Sequence, residues 1–348
     1  MKVAIVLFNL GGPDSPQAVQ PFLRNLFSDP AIIGLPAVLR LPLARFISSR
    51  RARTAQKIYQ QIGGASPILG QTEAQARALE EALGSDDEYR AYVCMRHWHP
   101  MTDAVVQKVL RFDPDRILLL PLYPQFSTTT TGSSIAAWAK ESARSRAATR
   151  TMCCYPAEHG FIDASVELLR QGLAEAGEER KRVLFSAHGL PEKIIRKGDP
   201  YQSQVEKTAA AIVAALSGNA RGGELDWSVC YQSRVGPLKW IGPSTGQEIE
   251  RAGREKVGVV VYPLSFVSEH SETLVELDID YRHLAQQAGV PFYIRVPAVG
   301  THPRFIAGLA DQVRALLLAP AGAICHGGAT RPCRPEHRAC PLLAAVAA

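Results

Sequence analysis

The residues best able to do chemistry are a histidine and a row of acids. His188 stands where the apolar run Phe185–Ala187 meets the turn Gly189-Leu190-Pro191. Further along, Glu269, Glu272, Glu276 and Asp280 recur at steps of three, four and four, with His270 among them. An imidazole of ordinary pKa, about 6.5, can accept a proton near neutral pH. Imidazole and carboxylate together bind a divalent metal yet release it. Steps of three and four set the acids along one helical stripe and leave Leu274 and Leu277 for the core. Such a stripe is either a solvated face or a row aimed at a ligand, and a lone histidine at a strand end is structural or catalytic. The deeply apolar run Val257–Leu264 just before the acids favours a ligand, because open α/β sheets bind at the C-terminal ends of their strands.

Other strand ends carry reactive types too. Arg96, His97 and Trp98 follow one apolar run. Tyr123 and the hydroxyl run from Ser127 to Thr131 follow another; that run either binds an anion or caps a helix. Trp240 closes a Gly/Pro-rich turn. Together these suit a large, flat, partly apolar anion held in a cleft, with a metal route along the acids.

The elements that position them alternate between strand and helix, the pattern of parallel α/β sheets. Strands are expected at Val3–Phe8, Tyr89–Met95 and Arg116–Leu122 in the first half. In the second they are expected at Thr151–Tyr155, Arg182–Ala187, Asp226–Tyr231, Val257–Leu264 and Phe292–Val296. The two halves read as two copies of one architecture. The N-terminal apolar run turns straight into Gly11-Gly12-Pro13 with no small-residue cleavage site, so it reads as a first strand and not a signal peptide. No stretch approaches the length of a membrane span.

At 348 residues there is room for two domains, and 46% apolar with 21% charged residues is a globular balance. The net charge of +6 suits anionic partners. No basic run interleaved with aromatics supports nucleic acid. The apolar, arginine-bearing segment 32–53 either lies on anionic lipid, lines an apolar mouth, or is a surface helix with snorkelling arginines. Seven cysteines without a secretory context argue against a disulfide framework. Cys94 and Cys230 read as core, Cys153 and Cys154 are adjacent, and Cys325, Cys333 and Cys340 crowd a Gly/Pro-rich tail that cannot build a core unaided.

The blocks FNLGGP, IGGASPI, PQFSTTTTGSS, FSAHGLP, QSRVGPLKWIGPST and PLSFVSEHSETLVELDIDY together resemble the ferrochelatases, nearly colinearly from Val3 to about Leu318. The resemblance implies an α/β fold of two Rossmann-like domains, each a parallel sheet flanked by helices, with the active-site cleft between them. It divides the chain into residues 1–128 (with a porphyrin lip at 32–53), 129–300, a closing helix at 301–320 and a Cys-rich extension at 321–348. It implies insertion of ferrous iron into protoporphyrin IX with loss of two protons. The alternatives are coproporphyrin III or cobalt as substrate on the same fold, or a tetrapyrrole carrier without catalysis. His188 and Glu272 become the catalytic pair and hold iron in transit, with His270 beside them. Glu269, Glu276 and Asp280 continue as an acidic path, and a π-helix is expected over this stretch. Arg50, Arg51, Arg96, Tyr123, Ser127 and Trp240 are expected to touch the porphyrin. Leu10 stands where users of coproporphyrin carry Tyr, and so favours protoporphyrin. The chemistry suits these types: two pyrrole protons must leave before the metal seats, and a distorted ring exposes a lone pair.

Some ferrochelatases carry a 2Fe–2S cluster on a C-terminal extension, held by four thiolates. Here Cys325, Cys333 and Cys340 would supply three, and Cys154, or Cys153 in its place, the fourth. Against this stand a floppy tail or an adventitious zinc site. The expected location is the cytoplasm, with contact to the membrane's cytoplasmic face or to the preceding enzyme of the haem pathway. A homodimer is compatible with the sequence.

Overall fold

The computed structural model of the protein describes residues 1–143, 145, 147–218, 225–234, 236–320, 322–326, 328 and 333–342. Runs rich in Val, Ile and Leu form strands buried on both faces, the requirement of a parallel sheet covered by helices. The strands are β1 (Lys2–Asn9), β2 (Glu88–Met95), β3 (Arg116–Pro121), β4 (Ala148–Met152), β5 (Lys181–His188), β6 (Trp227–Gln232), β7 (Gly258–Pro263), β8 (Tyr293–Arg295) and β9 (Gly322–Ile324). They form two all-parallel sheets, β2-β1-β3-β4-β9 and β6-β5-β7-β8. The order β2-β1-β3-β4 is repeated by β6-β5-β7-β8, so the duplication expected from the sequence is present strand for strand.

Each sheet belongs to its own compact unit. Met1–Cys154 and Ala310–Pro332 build most of the first; Tyr155–Leu309 and Cys333–Cys340 build the second. The boundary falls after Cys154, not after residue 128, for a topological reason. The strand expected at Thr151–Tyr155 is β4, which pairs with β3 in the first sheet, so helix Thr131–Glu141 is a crossover within that unit. The tail adds β9 beside β4 through Arg150↔Gly322 to Met152↔Ile324.

The cores follow from the strands. Val3 to Leu7 of β1 and Val259 to Tyr262 of β7 are all 0% exposed. Each such Val, Ile or Leu contributes about 1.5–3 kcal/mol by leaving water. The closing helix runs Pro303–Leu318. It approaches helix His159–Glu175 so closely that a Cβ at Gly160 would lie 2.4 Å from the Arg304 carbonyl oxygen.

Segment 32–53 contributes to helix Ala37–Gln60, which buries Ala44, Ser48, Ala52 and Tyr59. Its other side exposes Val38 (79%), Leu39 (58%), Leu41 (51%) and Phe46 (61%). Among the described residues no helix is long and apolar enough to cross a membrane.

Candidate active site

In the second sheet β6 and β7 flank β5 on opposite sides, so the C-terminal ends of β5 and β7 bound a topological switch point, where doubly wound sheets bind ligands. His188 is the last residue of β5. Gly189 follows because a Cβ there would meet the Gln232 carbonyl oxygen at 2.9 Å and the Trp240 ring at 3.3 Å. After β7 the chain enters a π-helix at Glu272–Asp280, the expected departure from α geometry. Thr273, Val275 and Leu277 are buried along it.

This brings two imidazoles onto one carboxylate. His188 Nε2 lies 3.7 Å from Glu272 Oε1, and His270 Nε2 lies 3.7 Å from Glu272 Oε2. Each ring turns its other nitrogen to a backbone carbonyl: His188 Nδ1 to Gly189 O at 2.6 Å and His270 Nδ1 to Ser268 O at 3.2 Å. A carbonyl only accepts, so a neutral ring carries its proton on Nδ1 and leaves Nε2 basic and facing Glu272. His270 is nearly buried and packs on Phe266, ring centroids 4.6 Å apart. The His188 side chain is 37% exposed. Tyr201 donates its hydroxyl proton to the His188 carbonyl at 3.0 Å.

Glu276 lies one step further along. It accepts from Ser233 N–H (2.7 Å) and Oγ–H (2.5 Å), from Gln232 Nε2 (3.2 Å) and from the Tyr281 hydroxyl (3.2 Å). Ser233 adopts a left-handed φ of 60°, which aims its amide and hydroxyl at that carboxylate. The two acids ionise differently. Burial raises Glu272, but the His188 and His270 imidazoles with the Ser233 hydroxyl outweigh it and bring the carboxyl down to about 2. Burial, and then the charge of Glu272, push Glu276 up. The two neighbouring carboxyls are thus shifted in opposite directions.

The rest of the acid row divides. Asp280 is exposed at the far end of the π-helix. Glu269 lies before the helix; its Oε1 accepts from Arg295 Nη1 at 2.6 Å and from the Ala298 amide at 3.0 Å. It is off the stripe that even spacing had suggested. Trp240 is half-buried, with its indole N–H unpartnered.

The remaining expected residues lie in the first unit. Leu10 and Tyr123 stand beside the C-terminal ends of β1 and β3, that sheet's switch point. Tyr123 is half-buried, and burial raises its phenol. Arg96 follows β2 and pairs with the buried Asp29 at 2.8 Å. Ser127 is 1% exposed and bonded to Thr129 Oγ1 at 2.8 Å. Arg50 and Arg51 are exposed, over the rings of Phe46 and Phe27 respectively. Sequence reasoning missed Gln232, Ser233 and Tyr201, whose partners come from other elements.

Cys154 and Cys325 belong to the first unit, Cys333 and Cys340 to the second. Cys153 and Cys154 sulfurs are 3.6 Å apart, Cys325 Sγ donates to Gly328 O at 3.6 Å, and Cys333 Sγ accepts from Gln204 at 3.3 Å. Among the described residues no group of three or more His, Cys, Asp or Glu stands out as a metal site. Residues 321, 327, 329–332 and 343–348 of the extension lie outside the described residues.

The ferrochelatase family profile matches residues 2–317. The chain is 56% identical over 317 residues to the ferrochelatase of Caulobacter vibrioides, covering 90% of both. It is 48% identical over 318 residues to that of Pelagibacter ubique, covering 90% of this chain and 91% of the relative. Among solved structures, the sirohydrochlorin chelatase SirB of Bacillus subtilis subspecies spizizenii in complex with cobalt superposes with a TM-score of 0.53 at 13% identity. That match covers 92% of this chain and 97% of SirB, and it is a likeness of fold.

Proposed function

The chain belongs to the ferrochelatase family, and from that premise we propose that His188 receives the pyrrole protons of protoporphyrin IX as ferrous iron enters the ring. The enzyme inserts ferrous iron into a porphyrin to form haem, and two protons leave for each iron bound. The observation that carries the site assignment is Glu272, set 3.7 Å from both His188 Nε2 and His270 Nε2.

His188 Nε2 is the basic atom because Nδ1 is engaged by Gly189. When Nε2 takes a pyrrole proton the ring becomes a cation, and Glu272 is already ionised beside it. That charge develops during the reaction, so the contact stabilises the transition state more than the bound substrate. Glu276, pushed upward, accepts and passes on protons, and Asp280 continues the row toward solvent. His188 and Glu272 hold iron in transit; two such ligands bind ferrous iron without trapping it. Glu269, tied to Arg295, fixes the segment before the π-helix. Arg50, Arg51, Arg96, Tyr123, Ser127 and Trp240 are the residues proposed to hold the porphyrin, and Leu10 supports protoporphyrin over coproporphyrin.

The wider reading places the enzyme in the cytoplasm and on a membrane's cytoplasmic face. Its support is the exposed Val38, Leu39, Leu41 and Phe46 beside Arg50, Arg51 and Arg53. A docking partner from the preceding haem-pathway step would use the same face. A 2Fe–2S cluster on Cys154, Cys325, Cys333 and Cys340 rests on cysteine count and spacing alone.

The deciding experiment is anaerobic insertion of ferrous iron, with protoporphyrin IX and coproporphyrin III offered side by side. His188→Ala should slow insertion by about 10²–10⁴-fold, the range of a lost general base. A near-normal rate in that variant would remove His188 from the mechanism.

A further inference from the structure

Three segments of the first unit converge on Asp29, a residue the sequence did not single out. Asp29 follows helix Val19–Phe27, and its side chain is 2% exposed. Its Oδ1 accepts from the Ala31 amide at 2.8 Å and holds the turn after that helix. Its Oδ2 accepts from Arg96 Nη2 at 2.8 Å and from the Ser133 hydroxyl. Ser133, in the first turn of helix Thr131–Glu141, also accepts from Arg96 Nε at 2.7 Å.

The guanidinium of Arg96 is therefore gripped along its Nε–Nη2 edge, and neither bond uses Nη1. Its side chain remains 20% exposed while Asp29 is enclosed. A buried carboxylate persists only where its charge is met, and a flexible arginine keeps one rotamer only where its donors are claimed. His97 does not compete for Asp29. It is fully buried, and burial followed by the Arg96 charge pushes its imidazole down to about 3, so it stays neutral.

We propose that Asp29, with Ser133, is a positioning residue: it locks Arg96 in one orientation so that its Nη1 edge meets a carboxylate of the porphyrin. This deepens the reading of Arg96 as a substrate contact and rests on it. Asp29 itself touches no substrate.

The test compares Asp29→Asn, Ser133→Ala, Arg96→Ala and the Asp29→Asn/Arg96→Ala double variant. Steady-state iron insertion is measured anaerobically, and protoporphyrin IX binding is measured separately by quenching of intrinsic fluorescence. Asp29→Asn and Ser133→Ala should each raise KM and Kd on the order of tenfold, with kcat within about threefold, short of the ~10²-fold that a 1 Å misplacement can cost. Arg96→Ala should weaken binding at least as much, and the double variant no further. Additive losses, a fall in kcat at unchanged KM, or unaltered binding in Arg96→Ala would overturn the proposal. If Asp29→Asn does not fold, Ser133→Ala carries the same expectation alone. A wild-type protein that binds porphyrin but inserts no iron would sink the parent reading, while the binding series would still decide the role of Asp29.

Discussion

Replacing Glu272 by Gln tests the chemistry at its centre, because it removes one charge and keeps the shape. The carboxylate lies 3.7 Å from Nε2 of His188 and of His270. Two unit charges at ~4 Å attract by about 1 kcal/mol in water and about 4 kcal/mol at an effective dielectric near 20. Glu272 and His188 are 27% and 37% exposed, so a value between those limits applies. Taking about 2 kcal/mol as the stabilisation lost when His188 becomes a cation, kcat should fall about 30-fold. The porphyrin KM should hardly move, since the imidazolium forms after the substrate is bound. Stopped-time anaerobic assays at saturating iron separate the two constants. A fall in kcat below about threefold, or a loss confined to KM, would refute the reasoning. The same variant has a signature in acid. With its carboxyl brought from 4.5 to about 2 on folding, native Glu272 binds fewer protons than the unfolded chain, so it stabilises the fold above about pH 4.5 and that stability is lost as pH falls toward 2. Urea midpoints of the wild type should therefore drop between pH 6 and 3.5 more steeply than those of Glu272→Gln; parallel slopes would contradict the charge assignment.

Two further outcomes follow from exposed and buried side chains elsewhere. Val38→Ser combined with Phe46→Ser removes the two most exposed large apolar groups of helix Ala37–Gln60. It should reduce sedimentation with anionic vesicles several-fold while insertion into porphyrin offered in detergent is preserved; undiminished sedimentation would separate that helix from lipid binding. For the extension, protein purified anaerobically should show visible charge-transfer bands and two bound irons if the cluster forms, and a colourless, iron-free protein would end that part of the proposal.

Strand positions were legible because buried parallel strands write themselves as apolar runs. The expected Val257–Leu264 became β7 (Gly258–Pro263), fully buried, and Val3–Phe8 became β1 (Lys2–Asn9). β9 was not legible. Gly322–Ile324 has three residues and no period, and it forms only because β4 offers an open edge. The domain boundary slipped for the same reason, since β4 takes its sheet from its partner β3 and not from its own composition. At the site, residue types and spacing identified His188, His270 and Glu272, and the structure gathers them. Spacing failed at Glu269, whose partner Arg295 lies 26 residues away on β8. It also gave no hint of Ser233, because a left-handed serine carries none of the signal that a glycine would. The π-helix was expected only through the family resemblance; the apolar and acidic pattern alone reads as α.

The repeated strand order sharpens what differs between the two units. Both sheets place polar groups at the C-terminal ends of their strands; near them the first unit buries a carboxylate and the second half-buries one. In the first unit Asp29 is met by the permanently charged Arg96, so the pair is electrostatically fixed and suits holding an anion still. In the second, Glu272 is met by two imidazoles whose charge depends on protons. A site that must take up and release protons in each turnover needs partners that titrate, and arginine there would keep Glu272 neutralised throughout. On the proposed function, the same architecture would serve as a clamp in one copy and a proton acceptor in the other, and the choice between them would lie in whether the cation beside the carboxylate can be discharged.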